Sequence, residues 1–222
     1  MLEKSKSRLL LALQKRTERE DKGLCIIEGE KLVKECKDWI EFIFSAKDTP
    51  NFREVIHAES LPRLAAVARI PQFSMSEVNA RQTVLVLDGI QDPGNVGGLL
   101  RSAAAFGAGV ILVECAEVSN PKTIRASAGG IFKTPWITLK REGAEETLSG
   151  LGREIWRLEK RNGARELTAI PEKKSRLVIV GNEGQGIRLE IEGESIFIPH
   201  AQSVESLNVL VAASLVLFSL RT

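Results

Sequence analysis

Short apolar runs separated by polar, glycine-bearing segments recur from residue 83 onward. Residues 83–87, 110–113, 136–139, 155–158 and 177–180 are each only four or five residues long and mostly apolar. Runs this short without a polar face predict buried strands of a parallel sheet, covered on both sides. Residues 195–198 add another strand, stopped by Pro199. Helical or polar pieces fall between them, at 96–106, from Asn120-Pro121 onward and at 142–148. Ser206-Leu207-Asn208 then opens an apolar helix of about four turns, running to Leu220. This strand–helix alternation predicts an α/β fold, a parallel sheet with helices on both faces.

Ahead of it, residues 1–78 predict a small α/β unit. Leu2, Leu9, Leu10 and Leu13 share one helix face, ringed by Lys4, Lys6, Arg8, Lys15, Arg16 and Arg19. Those charges suit either a solvated face or a phosphate-contacting edge. Gly23 ends the pattern. Strands are expected at 24–28 and 40–45, with a short helix at 29–37, and Pro50, Pro62 and Pro71 punctuate shorter pieces. Residues 72–82, polar and aperiodic, read as a linker. The expected division is therefore 1–78 and 79–222.

Two loops carry candidate chemistry. Asp92-Pro93-Gly94-Asn95 is strong turn sequence, and it places Asn95 to cap a helix over 96–106, with Arg101 on its second turn. Gly97 and Gly98 each cost that helix about 1 kcal/mol relative to alanine, so close approach by another segment or a ligand is expected there. After residues 177–180, Gly181, Gly184 and Gly186 let the backbone turn sharply and approach a ligand. In open parallel sheets, ligands bind beyond the carboxyl ends of the strands, where this loop and the one after residue 198 lie. Neither a P-loop nor a Gly-x-Gly-x-x-Gly following residues 83–87 is present, which disfavours an NTPase or an ordinary dinucleotide site.

Composition narrows the class further. A net charge of +2 neither demands nor excludes nucleic acid. No apolar run is long enough to span a bilayer, so no membrane association is expected. Residues 1–19 mix leucines with charges and do not read as a secretory signal. Cys25, Cys36 and Cys115 form no Cys-x-x-Cys, which predicts a reducing, cytoplasmic setting without a zinc or disulfide framework. His57 and His200 are too far apart to suggest a histidine metal site.

DPGNVGGLLRSAAAFGAGVIL, IVGNEGQGI and IPHAQSVESLNVLVAASLVLF, in that order, resemble the three motifs of the SpoU (TrmH) family of RNA ribose 2′-O-methyltransferases. NPKTIRASAGGIFKTP resembles the segment that connects them, and the likeness covers residues 83–222. The N-terminal unit looks like the small ribosomal-protein-like substrate-binding domain of many members, through its basic first helix and IIEGEKLVKEC. The resemblance implies an α/β fold closed by a C-terminal trefoil knot, a device that patterning alone would not propose. It implies S-adenosylmethionine held in the knot by Gly181, Ile198 and Leu207. It implies active-site roles for Asn95, Arg101, Glu183, Ser206 and Asn208. It also implies a homodimer whose site is completed across the interface, and a structured RNA substrate. The extra N-terminal unit favours ribosomal RNA over tRNA. A non-catalytic RNA-binding protein of the same fold is the alternative of different class.

Each of these residues also has a plain structural reading: Asn95 and Ser206 as helix caps, Glu183 as a loop residue holding backbone N–H groups. Their joint occurrence in the family's order favours the functional one. Two departures stand out. His200 and Gln202-Ser203 occupy a loop where relatives often have Met and glycines, and Gly98 stands where they often have Ala. A guanidinium stays protonated in proteins, so Arg101 is read as a phosphate ligand or alkoxide stabiliser rather than a base.

Overall fold

The computed structural model describes residues 1–57, 60–167, 174–201 and 203–221. The leucine-rich start is two helices, not one. α1 (Lys4–Ala12) buries Leu10, and Leu13 is buried just beyond it. The chain then turns into α2 (Arg16–Lys22), which ends at Gly23 with φ 61°, a left-handed cap that glycine adopts without strain.

β1 (Leu24–Glu28), α3 (Glu30–Glu35), β2 (Ile40–Phe44), α4 (Phe52–Val55) and β3 (Ala65–Arg69) follow. They build an antiparallel three-stranded sheet in the order β1-β3-β2. The central strand β3 is not expected from the sequence. Its AAVAR run lies in proline-punctuated sequence, and alanine is depleted in strands. Burial explains it. Ala65 and Val67 pack with Leu10, Leu13, Phe44 and Phe52, whereas Ala66 and Ala68 join a core shared with the rest of the molecule. Both faces of the sheet are therefore covered, and small residues let the layers approach closely.

The expected linker contains a helix. α5 (Met75–Asn79) is nucleated by a capping box, in which Ser74 Oγ accepts from Glu77 N–H and Glu77 accepts from Ser74 N–H. Its Val78 is fully buried against the second core. The Ser-x-x-Glu spacing is visible in the sequence, but five residues are too few to show a period.

The larger sheet comes from β4 (Thr83–Asp88), β5 (Gly109–Val113), β6 (Trp136–Leu139), β7 (Glu154–Leu158), β8 (Arg165–Glu166), β9 (Arg176–Gly181) and β10 (Glu194–Phe197). Its order is β6-β5-β4-β9-β7-β10-β8, and every neighbouring pair is parallel. The two-residue edge strand β8 is too short to be anticipated. The connecting helices are α6 (Pro93–Phe106), α7 (Pro121–Ser127), α8 (Ala144–Ser149) and α9 (Val209–Leu220). Leu85, Leu87, Val110, Leu112, Val178 and Val180 face α6, α7 and α9, while Val84, Val86, Ile111, Val113, Leu177 and Ile179 face α5, α8 and the 187–191 segment. Helices on both faces are thus as the alternation predicts. No helix among the described residues is long and apolar enough to cross a membrane.

A buried ion pair fastens the N-terminal helices to the loop after β5. Arg19 donates from Nε and Nη2 to the two carboxylate oxygens of Glu117, at 2.8 and 2.7 Å, and from Nη1 to the carbonyls of Leu13 and Gln14. Burial pushes the Glu117 carboxyl up, but hydrogen bonds from Arg19 and Ser119 outweigh it and leave the group below its usual range. A depressed carboxyl contributes stability above its unfolded pKa and loses it as pH falls through the folded one. Arg19→Ala should therefore destabilise the chain at neutral pH by roughly 3–5 kcal/mol, since it strands a buried carboxylate. Urea unfolding should show the gap between variant and wild type narrowing at acid pH, and a gap that does not change with pH would refute this account.

Candidate active site at the carboxyl ends of the strands

The first loop is built differently from expectation in one respect. Asp92, not Asn95, caps α6: its Oδ1 accepts from Asn95 N–H at 2.9 Å, with Pro93 as the first helical residue. Lys122 Nζ donates to the other Asp92 oxygen at 2.8 Å, and these bonds hold the Asp92 carboxyl below its usual range. Asn95 thus sits within the first turn, and its side chain is released from capping.

That side chain links the three motifs. Asn95 Nδ2 donates to Glu183 Oε1, and Asn208 Nδ2 donates to Asn95 Oδ1 at 3.4 Å. Asn208 Oδ1 in turn accepts from Leu210 N–H at 2.9 Å and Val211 N–H at 3.4 Å, capping α9. Asn208 therefore takes the capping role that the sequence reading gives to Ser206. The paired glycines make this meeting possible. A Cβ at Gly98 would come within 2.5 Å of Leu210 Cδ2, and one at Gly97 within 2.7 Å of Ala126 Cβ. Each glycine admits a different helix, α9 and α7, which is the close approach the sequence calls for.

Glu183 is presented by a tight loop. Asn182 and Gly186 exchange backbone hydrogen bonds, Asn182 Oδ1 accepts from Gly184 N–H at 2.9 Å, and Asn182 Nδ2 donates to the Gly89 carbonyl at 3.2 Å. A Cβ at Gly181 would collide with the backbone of Gly186 and Ile187, so glycine there is a steric requirement of the loop. Asn182 and Asp92 organise these two loops, and sequence reasoning misses both. An Asp directly before Pro at a helix start is the available signal for Asp92.

The remaining candidates make no side-chain hydrogen bond to this trio among the described residues. Ile198, Ser206 and Leu207 line a cavity of about 170 Å³ together with Leu158, Phe197 and His200. Its walls are mainly apolar with a few polar groups, the usual character of a small-molecule site, although the volume falls below the common range of roughly 300–1,000 Å³. His200 Nδ1 lies 2.7 Å from the Ile198 carbonyl, and its Nε2 is buried without a partner among the described residues. A mainly apolar slot that includes Ser206 and an unpaired His200 ring nitrogen has the lining chemistry that an adenosine moiety requires, an apolar wall for the base with polar groups beside it. Gln202 lies outside the described residues.

Arg101 is exposed and makes no hydrogen bond or ion pair among the described residues. It is six residues beyond Asn95, about 9 Å further along the axis of α6. There it borders a cleft with Glu28 and Arg125 on one side and an apolar surface with Phe106, Leu210 and Phe218 on the other. Within one chain, therefore, Arg101 does not join the Asn95–Glu183–Asn208 chain of bonds. Thiol chemistry is not favoured: burial pushes the Cys25 thiol up to about 12 and those of Cys36 and Cys115 up to about 11.

Comparison with known proteins agrees with this architecture. The SpoU rRNA Methylase family model matches residues 82–218. The chain is 33% identical over 175 residues to the Bacillus subtilis 23S rRNA (guanosine(2553)-2′-O)-methyltransferase RlmP, covering 77% of this chain and 69% of the relative. It is 32% identical over 176 residues to a 23S rRNA (adenosine(1067)-2′-O)-methyltransferase of Streptomyces laurentii, covering 74% of this chain and 64% of that one. The chain thus spans about two thirds of the length of these relatives. Among solved structures, the SpoU methyltransferase AviRb of Streptomyces viridochromogenes in complex with AdoMet shares the fold with a TM-score of 0.78 at 20% identity, over 99% of this chain and 97% of that one. With the family match spanning more than half of its residues, the chain belongs to the SpoU rRNA Methylase family.

Proposed function

We propose that this protein transfers a methyl group from S-adenosylmethionine to a ribose 2′-hydroxyl of structured RNA, with ribosomal RNA as the substrate. The observation that carries the reading is the hydrogen-bonded chain Glu183–Asn95–Asn208. It joins all three sequence motifs at the carboxyl ends of the parallel strands. The family membership and the relatives named as 23S rRNA 2′-O-methyltransferases support the same reaction.

When bound, S-adenosylmethionine supplies a sulfonium methyl that is already electrophilic. Leu158, Phe197, Ile198 and Leu207 would hold its adenosine portion, with Ser206 and His200 at the polar edge. Gly181 keeps the neighbouring loop closed. The protein's own task is to hold a ribose hydroxyl in line and to manage its proton. Glu183 offers a carboxylate oxygen to that proton, and Asn95 fixes the carboxylate's direction. Asn208 ties the pair to the start of α9. Arg101, always protonated, binds a phosphate or stabilises the developing alkoxide.

Arg101 can meet the trio if a second copy supplies it. Val211, Leu215 and Phe218 leave 48%, 44% and 50% of their surfaces exposed on α9, an apolar strip beside Arg101 that suits a homodimer interface. In this reading residues 1–78 form the RNA-binding unit and residues 79–222 the catalytic one. The C-terminal segment would close in the trefoil knot of the family, and the protein would work on ribosomal RNA in the cytoplasm.

Methyl transfer from labelled S-adenosylmethionine to bacterial RNA, followed by nucleoside analysis, should yield a labelled 2′-O-methylnucleoside in ribosomal RNA. Asn95→Ala should lower turnover by roughly 10²–10³-fold while retaining cofactor binding. Mixing separately inactive Arg101→Ala and Asn95→Ala chains should restore activity, because the mixed dimer holds one site with both residues intact. No recovery on mixing would refute the shared site, and cofactor binding without any RNA methylation would refute the reaction. Replacing Lys4, Lys6 and Arg8 with alanine should weaken RNA binding and lower the slope of log affinity against log salt by about 0.7–0.9 for each phosphate no longer neutralised. An unchanged slope would return that helix face to plain solvation.

A further inference from the structure

The Arg125-Ala-Ser-Ala-Gly-Gly run does more than pack helices. α7 ends at Ala128, whose φ of 44° is one of two positive values at non-glycine residues among the described residues. Such strain persists only where the surroundings enforce it, and it clusters at functional sites. The next two glycines sit under close contacts. A Cβ at Gly130 would come within 2.9 Å of the Arg101 backbone, and one at Gly129 within 3.1 Å of Leu32 in α3. This turn therefore brings the N-terminal unit up against the helix that carries Arg101.

The result is a cleft of about 420 Å³, walled by Glu28, Lys31 and Leu32 on one side and Arg101, Arg125 and Ala128 on the other. Its volume lies in the range of small-ligand sites. The groups at its floor are incompletely satisfied. The Glu28 side chain is only 6% exposed; its Oε1 accepts from His57 N–H at 2.9 Å and lies 3.7 Å from Arg125 Nη1. Glu28 Oε2 and Arg125 Nη1 are both buried without a hydrogen-bond partner among the described residues. A buried, unpaired carboxylate oxygen is costly unless something completes it.

We propose that this cleft receives the base of the target nucleotide and that Glu28 reads it as guanine. The inference rests on the methyl-transfer reading above and deepens it. An ionised carboxylate only accepts hydrogen bonds and can accept two side by side. On the Watson–Crick edges of the natural RNA bases, only guanine presents two adjacent donors, its N1–H and its N2 amino group. Adenine and cytosine place a ring acceptor beside the amino group, and uracil flanks its single N–H with two carbonyls. Unstacked RNA bases are commonly read on that edge. Arg125 flanks the carboxylate, and Arg101, at the mouth of the same cleft, is placed for the phosphate of that nucleotide. The N-terminal unit thereby becomes a specificity element as well as an RNA tether.

The test uses the full-length protein, labelled S-adenosylmethionine and unmodified ribosomal RNA transcripts. The label should appear in 2′-O-methylguanosine. Glu28→Gln should lower kcat/KM for RNA by roughly 10- to 100-fold, the scale of one bidentate base interaction, at a temperature well below the variant's own melting point and with cofactor binding unchanged. Inosine at the labelled position, which lacks the N2 amino group, should slow the wild type but not slow Glu28→Gln further. Label in any other nucleoside, or a Glu28→Gln enzyme with wild-type kcat/KM, would overturn the inference. So would a loss that follows only the melting temperature, as a mere inter-unit tie would give. A wild-type protein that binds the cofactor yet labels no ribose would overturn the methyl-transfer reading itself, and this inference with it.

Discussion

Asp88 stands at the carboxyl end of β4, at the centre of the larger sheet, with none of its surface exposed. Its Oδ1 accepts from Arg141 Nη2 at 2.6 Å, and its Oδ2 accepts from the backbone N–H groups of Arg188 and Leu189 at 2.5 and 2.8 Å. From the other side, Arg157 Nη1 donates to the Leu189 and Ile191 carbonyls at 2.8 and 2.9 Å. Two charged strand residues thus satisfy the backbone of an irregular segment whose Leu189 and Ile191 are buried. Without them, buried peptide groups there would lack partners, and the segment could not lie against the sheet. The glycine loop that carries Glu183 leads directly into this segment, so the position of Glu183 depends on the tie at Asp88.

The same logic governs α6. Its two consecutive glycines weaken the helix intrinsically, yet they let α7 and α9 approach it, and α9 arrives with Asn208 at its head. Because Asp92 has taken over the N-cap, the Asn95 amide is available to Glu183 and Asn208. The proposed site is therefore a by-product of how the helix begins. Packing of α9 sets one partner, the glycine loop the other, and the cap leaves Asn95 to bridge them. Arg101, further along α6, faces a different environment, bordered by Glu28 and Arg125 on one side and by Phe106 and Phe218 on the other.

The N-terminal unit is also more integrated than a flexible attachment would be. Alternate residues of β3 pack into two different cores, and Arg19 is bonded to Glu117 and Lys133 to Glu35. Trp39 lies against Phe132, with ring centroids 6.1 Å apart. These contacts fix the wall that α3 contributes to the Arg101 cleft, so a base held there would meet a preformed surface rather than a mobile one.

The sequence by itself determined the parallel sheet and its flanking helices, because buried strands need unbroken apolar runs and connecting helices need a periodic face. Its three motifs, through their likeness to a known family, also marked Asn95, Glu183 and Asn208 as candidates. It could not show β3, whose alanines become a strand only when two layers close on them, nor α5, too short to display a period. The exchange of capping roles, Asp92 for Asn95 and Asn208 for Ser206, was equally hidden, since several adjacent residues were chemically able to cap. Only the tertiary structure decided that Arg101 lies away from the trio, and that Glu28 and Arg125, 97 residues apart in number, share one cleft. Long-range juxtapositions of this kind follow from which surfaces pack, and no local pattern encodes them.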